Sequence, residues 1–237
     1  MSRLVVHVEG QTEETFVREI LRPYLCSRGF ESVSARLIGN ARQRDRRGGI
    51  RSWSSARIGI INHLKQDTTS LHTTMIDYYG LPKTGSMAWP GREVADQLPF
   101  EQKAAVVEEA IAEDILNEIE DFFPIRFLPF VMMHEFEALL FSDCEKFGRV
   151  IGHPELIAKL QEIRDQFSNP EEINDSPNTA PSKRVSALVE GYQKPLFGAI
   201  AIIEIGLEPI NRECPHFKEW IENLGNWPSR YVSNNQH

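Results

Sequence analysis

The stretch Val5-Val6-His7-Val8-Glu9-Gly10-Gln11-Thr12-Glu13-Glu14 decides the fold. From Leu4 to Val8 a run of β-formers reads as a short buried strand, and it ends abruptly on a carboxylate and a glycine. Thr12 stands where a helix N-cap is expected, and apolar Phe16, Ile20 and Leu21 share one side of a helix running to Cys26. Glu13 and Glu14 fall in its first turn, where the helix dipole favours negative charge. A strand that stops on an acid and turns at once into a helix is the opening of an α/β domain.

The pattern continues outward from there. Ser32 to Ile38 alternates as a second strand, Arg57 to Lys65 carries Ile58, Ile61 and Leu64 at helical spacing, and LHTTMIDYYG supplies a third strand. Strands separated by helices of this length predict a mostly parallel, buried central sheet flanked by helices. Residues 80–100 hold three prolines and three glycines and read as a structured insertion. A long helix is expected from Glu101 to Phe123, a strand from Phe127 to Met133, and the start of another helix from Glu135 to Phe141. Beyond these, Pro154 to Phe167 is an amphipathic helix, Arg184 to Tyr192 is helical, and Ala199 to Ile205 suits a helix or a strand. The expected organisation is an α/β core over 1–150 with an insertion near 81–100, a helical C-terminal extension over 151–226 packed on it, and a flexible tail over 227–237.

Composition narrows the classes. The net charge of −8, from 26 basic and 34 acidic residues, argues against a surface wholly given to nucleic acid but permits a local basic patch. Three cysteines, Cys26, Cys144 and Cys214, are an odd number without CxxC spacing, so neither a disulfide framework nor a zinc knuckle is implied. With no signal-peptide pattern and no apolar run near the ~20 residues of a membrane span, the expectation is a soluble, cytoplasmic protein with no membrane partner. No Walker motif is present in the sequence.

Chemistry is expected at the carboxyl ends of the strands, where loops and helix N-termini converge in an open parallel sheet. Glu9, Asp77 and Glu135 each follow an apolar run and would meet at one edge. Clustered carboxylates repel unless a cation screens them, and hard oxygen ligands select Mg²⁺ or Mn²⁺. Singly, each acid also has a structural reading, as turn residue, cap or helix N-terminal charge. His134 suits a general base, a phosphate donor or a metal ligand, although a lone histidine is more often structural. Tyr78 and Tyr79 are residues to pack or stack rather than react.

Two basic features are candidates to hold a polyanion beside these acids. Arg42, Arg44, Arg46, Arg47 and Arg51, with Trp53 beside them, combine guanidinium forks for phosphate with an indole that can stack a base. A solvated loop or a docking surface for an acidic partner fits the same residues. Lys183 and Arg184 open a helix after Pro181, where positive charge opposes the dipole and an anion would relieve the conflict.

VEGQTEE, MIDYYGLP and HEFEALLFSD together resemble the bacterial family labelled domain of unknown function 4276 (DUF4276), a divergent TOPRIM-like group related to the overcoming-lysogenization-defect nucleases. The resemblance covers most of the chain and implies a TOPRIM-like, Rossmannoid α/β fold. It makes Glu9 the glutamate after the first strand, Glu13 its follower in the VEGxTE pattern, and Asp77 the acid after the third strand. Tyr79 stands where the second acid of the usual DxD belongs, so Glu135 or Glu137 would have to replace it. The implied activity is that of a metal-dependent nuclease or related phosphodiester-processing enzyme, with Glu9, Asp77, Glu135 and His134 catalytic. Glu9, Asp77, Glu135 and Glu137 would hold Mg²⁺ or Mn²⁺, and the arginine loop with Lys183 and Arg184 would bind nucleic acid. An ATPase partner in bacterial defence or DNA repair is also implied. The alternatives are a non-catalytic interaction subunit on a TOPRIM shell and a phosphohydrolase acting on a small substrate; homo-oligomerisation stays open.

Overall fold

The computed structural model describes residues 2–38, 52–119, 126–173, 179–189 and 191–234. Strand β1 (Ser2–Val8) leads into helix α1 (Gln11–Phe16), a π-helical segment (Val17–Leu21) and α2 (Arg22–Cys26). Helix therefore runs to Cys26, but its cap differs from expectation. Gly10 occupies the N-cap in an extended conformation, while Thr12 is buried inside the first turn. Pro23 accounts for the wide π segment, because its ring would clash with the carbonyl four residues back in a regular α-helix.

After β2 (Phe30–Leu37), α3 (Trp53–Gln66) returns the chain to β3 (Ser70–Asp77). The insertion then folds through the short helix α4 (Arg92–Ala95) onto α5 (Phe100–Leu116). Contact there is close: at Gly91, φ is +70° and an added Cβ would lie 2.6 Å from the Val106 carbonyl oxygen. β4 (Phe127–Leu128) and β5 (Val131–Met132) complete the sheet, which has the order β2-β1-β3-β4 with β5 also on β3. Every pairing among the described residues is parallel.

The single strand expected over 127–133 is thus two short ones on the same side of β3. Pro129, which has no N–H to give a ladder, lies in the break, and the Thr74 hydroxyl bridges it by accepting from Phe130 N and donating to Phe130 O, both at 2.8 Å. β3 is buried along nearly its whole length, as a strand covered on both faces must be.

The two faces carry separate cores. Leu4, Val6, Val8, Leu71 and Met75 pack against α1, α2 and the C-terminal helices α6 (Cys144–Val150), α7 (Ile157–Arg164), α8 (Pro181–Leu188), α9 (Lys194–Ile205), α10 (Leu207–Glu213) and α11 (Pro215–Asn234). On the other face Ile76, Val131 and Met133 pack against α3 and α5. That face also buries an imidazole pair, His7 Nε2 to His72 Nδ1 at 3.1 Å, with His63 of α3 stacked on His7. Burial holds both paired rings neutral, pushing His72 down to about 4.

The tail expected from Trp227 begins inside α11, where Trp227 is buried and stacks on Phe30 at 5.9 Å. Ala199 to Ile205 resolves as helix, within α9.

Candidate metal centre at the strand ends

Parallel pairing puts the carboxyl ends of β1 and β3 side by side, with Val8 in register with Met75. Glu9 and Asp77 therefore leave the sheet together. Glu9 Oε1 accepts the Asp77 backbone N–H at 2.8 Å, and Asp77 Oδ1 accepts the Phe136 N–H at 3.0 Å. Each bond ties a carboxylate from one strand to the amide of a later segment, so β1, β3 and the chain leaving β5 are joined at one edge. A carboxylate offers about four acceptor positions, so an amide on one oxygen is compatible with a cation on the same group.

Met133-His134-Glu135-Phe136 straddles the end of β3. His134 is the one non-glycine residue with positive φ among those described, at +64°, a left-handed bend that costs an L-residue about 1–2 kcal/mol. The bend aims the His134 carbonyl at the Tyr79 N–H, 3.1 Å away, extending the bonding of β3 past Asp77. Its ring is wedged between Tyr78 and Phe100 and is pushed down to about 4, first by burial and then by the charges of Lys103 and Arg92. The imidazole is neutral at pH 7 and a weak base.

Glu135, in extended conformation between two residues bonded to β3's end, accepts the Ser182 N–H on Oε2 at 3.0 Å. The anion anticipated at the N-terminus of α8 is therefore supplied by the chain's own carboxylate. Lys183 is exposed beside it, whereas Arg184 is half-buried, bonded to the Thr179 carbonyl at 2.6 Å and lying over Phe167. Glu137 follows in a 3-10 turn, Phe136–Ser142, rather than the α-helix expected there, and is completely buried. The backbone thus brings Glu9, Asp77 and Glu135 to the same strand ends, with Glu135 Oε2 bonded to Ser182 N–H.

Glu13 is an acid that the dipole argument left as ordinary helix charge. Its side chain is buried, and its Oε2 lies 3.0 Å from where a Cβ on Gly10 would be, so it folds back over the glycine that follows Glu9. The VEGxTE spacing was the only signal for it.

Among the described residues, no group of three or more His, Cys, Asp or Glu side chains is arranged to hold a metal ion. The donors do not form an all-protein cage. They do fit the manner in which Mg²⁺ is commonly held, by one or two carboxylates completed by water and substrate phosphate.

Arg42, Arg44, Arg46, Arg47 and Arg51 lie outside the described residues. Trp53 does not serve as the base platform suggested beside them. It is buried in α3, donates Nε1–H to Asp114 at 3.0 Å and packs on Trp89 at 4.9 Å, because an indole at this helical position faces the core. No helix among the described residues is long and apolar enough to cross a membrane.

No curated protein matches the chain. Two solved structures of the C-terminal region of the Xanthomonas campestris pv. campestris OLD protein are similar to it. The one phased with iodine has 16% identity, covers 98% of each chain and has a TM-score of 0.46. The one phased with mercury has 14% identity, covers 100% of this chain and 99% of that one, and has a TM-score of 0.44. The family described as domain of unknown function DUF4276 matches residues 8–225, and the chain belongs to that family.

Proposed function

We propose that this protein is a divalent-metal-dependent phosphodiesterase acting on nucleic acid, with its centre at Glu9 and Asp77. The observation that carries the reading is the relay from Glu9 to the Asp77 amide and from Asp77 to the Phe136 amide, which fixes two acids from neighbouring parallel strands at one edge. A counter-charge favours such an arrangement, since like carboxylates at one edge disfavour each other's ionised forms. Mg²⁺ or Mn²⁺ bound there would supply that charge, oppose the charge developing on a scissile phosphate and acidify a bound water.

The chain's own groups account for positioning. Glu9 and Asp77 would hold the ion, each oriented by its amide bond. Glu135 takes the amide at the N-terminus of α8 and so brings Lys183, exposed beside it, to the same region, where its charge would suit a polyanion. Glu137, buried in the turn that follows Glu135, would be a further ligand. His134 contributes its backbone bend, placing Glu135 and Tyr79, rather than a proton-accepting ring. This sequence offers no nucleotide-hydrolysing motif, so nucleotide hydrolysis coupled to this site in defence or repair would come from elsewhere, as from a partner ATPase.

A second reading, a non-catalytic interaction subunit, is favoured by one specific observation: Tyr79 stands where the second acid of the DxD pattern belongs. Purified protein incubated with DNA and RNA in Mg²⁺ or Mn²⁺ separates the two. Cleavage that is abolished by EDTA and lost in both Glu9→Gln and Asp77→Asn supports the enzyme. Cleavage persisting in both variants removes the proposed centre.

A further inference from the structure

Among the residues whose side chains are described, Tyr79 is the one aromatic in the set of exposed large hydrophobics, with 40% of its surface open. Buried rings are unremarkable in a core, but a ring held at the mouth of an acidic edge calls for an explanation. It stands two residues beyond Asp77 on a 3-10 turn, Tyr78–Gly80.

That turn is rigid. The Tyr79 N–H is bonded to the His134 carbonyl, and the Leu81 N–H closes the turn onto the Tyr78 carbonyl at 3.2 Å. Tyr78 itself is buried and clamped by Arg92, whose guanidinium lies 3.7 Å over the ring, donates to the Tyr78 hydroxyl at 3.0 Å and donates to the Tyr78 carbonyl at 3.2 Å. Adjacent tyrosines thus have opposite roles: Tyr78 anchors the turn from within, and Tyr79 presents its ring to solvent on that anchored turn. A preorganised ring loses little freedom when it stacks.

Resting on the reading of the preceding subsection, we propose that Tyr79 is a stacking platform for a base of single-stranded nucleic acid whose backbone runs past Asp77. Every base has a π-face, so a single tyrosine gives sequence-tolerant binding. Bases inside an intact duplex have both faces covered by neighbours, so the platform selects single strands, frayed ends or extruded nucleotides. It follows that the position taken by an acid in the DxD pattern here binds substrate instead of metal.

Fluorescence anisotropy with a labelled oligothymidylate, a matching duplex and an abasic sugar-phosphate oligomer tests this directly. Binding is measured in EDTA, and again in Mg²⁺ on the Glu9→Gln background, where cleavage is not expected. Tyr79→Ala should weaken oligothymidylate binding by roughly 5- to 150-fold, to the level of the abasic oligomer, while Tyr79→Phe should bind like the parent. The duplex should bind more weakly than the single strand and be indifferent to either change. Equal binding by Tyr79→Ala and its parent, equal binding of abasic and base-bearing oligomers, or no binding under either condition overturns the proposal. If Glu9→Gln abolishes cleavage while Tyr79→Ala binds normally, the metal centre stands and the platform falls; the reverse pattern separates them the other way.

Discussion

Replacing His216 with leucine should lower stability by about 3 kcal/mol at about pH 6, because it removes the imidazolium between the buried Glu171 carboxylate and the partly buried Glu108 carboxylate. At the start of α11, His216 Nε2 lies 3.0 Å from Glu108 Oε1 on α5, and Nδ1 lies 3.9 Å from Glu171 Oε1, beyond hydrogen-bond range but within ion-pair range. Glu171 also accepts the backbone N–H groups of His216 and Phe217, both at 2.9 Å, and Glu108 accepts Val131 N at 2.8 Å. When protonated, His216 therefore pins α11 to α5 and, through Glu108, to the strand that leads into His134 and Glu135. Burial alone would lower the His216 pKa, but the hydrogen bond and charge of Glu108, then the charges of Glu171 and Glu219, outweigh it and raise the value above 6.5. Glu171 is pushed up by burial, with His216 opposing.

The magnitude is set near the bottom of the about 3–5 kcal/mol range for broken buried pairs, since 25% of the His216 side chain and 19% of Glu108 still reach water. For a chain of this length, that corresponds to a melting temperature roughly 6–12 °C lower. The pH dependence has a definite sign. A histidine whose folded pKa is raised contributes fully below about pH 6.5, and its contribution is lost as pH climbs through the folded value. Thermal melts followed by circular dichroism from about pH 6 to 9 should show the parent losing stability toward the alkaline end and His216→Leu losing the part of that slope due to this group. Adding Glu171→Gln to His216→Leu should recover part of the loss, because it neutralises a stranded charge. Melting within a degree of the parent, with the same pH slope, would refute the ion-triad account.

Two other outcomes follow from geometry. At His134, φ of +64° predicts that His134→Gly is more stable than His134→Ala by about 0.5–1 kcal/mol, the relief of left-handed strain less the freedom glycine gains when unfolded; chemical denaturation of the two variants decides, and an alanine variant equal to or more stable than the glycine one contradicts the backbone role. Trp53→Phe should cost about 1 kcal/mol through loss of the bond to Asp114 yet leave oligonucleotide binding unchanged; weakened binding by a variant of unaltered fold would return the indole to the substrate site.

The strand ends were legible because a buried strand leaves a dense local signal: Val6, Val8, Met75 and Ile76 are apolar positions at the close of their strands, and Glu9 and Asp77 end the runs. Glu135 was legible in the same way, after Phe130 to Met133. What escaped the sequence depends on distant partners. The bond from Ser182 to Glu135 joins residues 47 apart, and no local pattern reports it. Trp227 reads from sequence as the start of a flexible tail, yet it is buried in α11 and stacks on Phe30, near the other end of the chain. Glu13 was assigned to the dipole because that explanation needs no burial, and burial is what distinguishes it. The 3-10 turn after Glu135 escaped for another reason. Its residues, Phe136 to Ser142, are good helix formers overridden by complete burial between sheet and C-terminal helices.

The central claim is that Glu9 and Asp77 hold a divalent cation, and titration of the protein with Mn²⁺ followed by electron paramagnetic resonance tests it most directly. The account predicts saturable binding by the parent, competed by Mg²⁺, and its loss in both Glu9→Gln and Asp77→Asn with the fold intact by circular dichroism. Equal Mn²⁺ binding by the parent and both variants would contradict it.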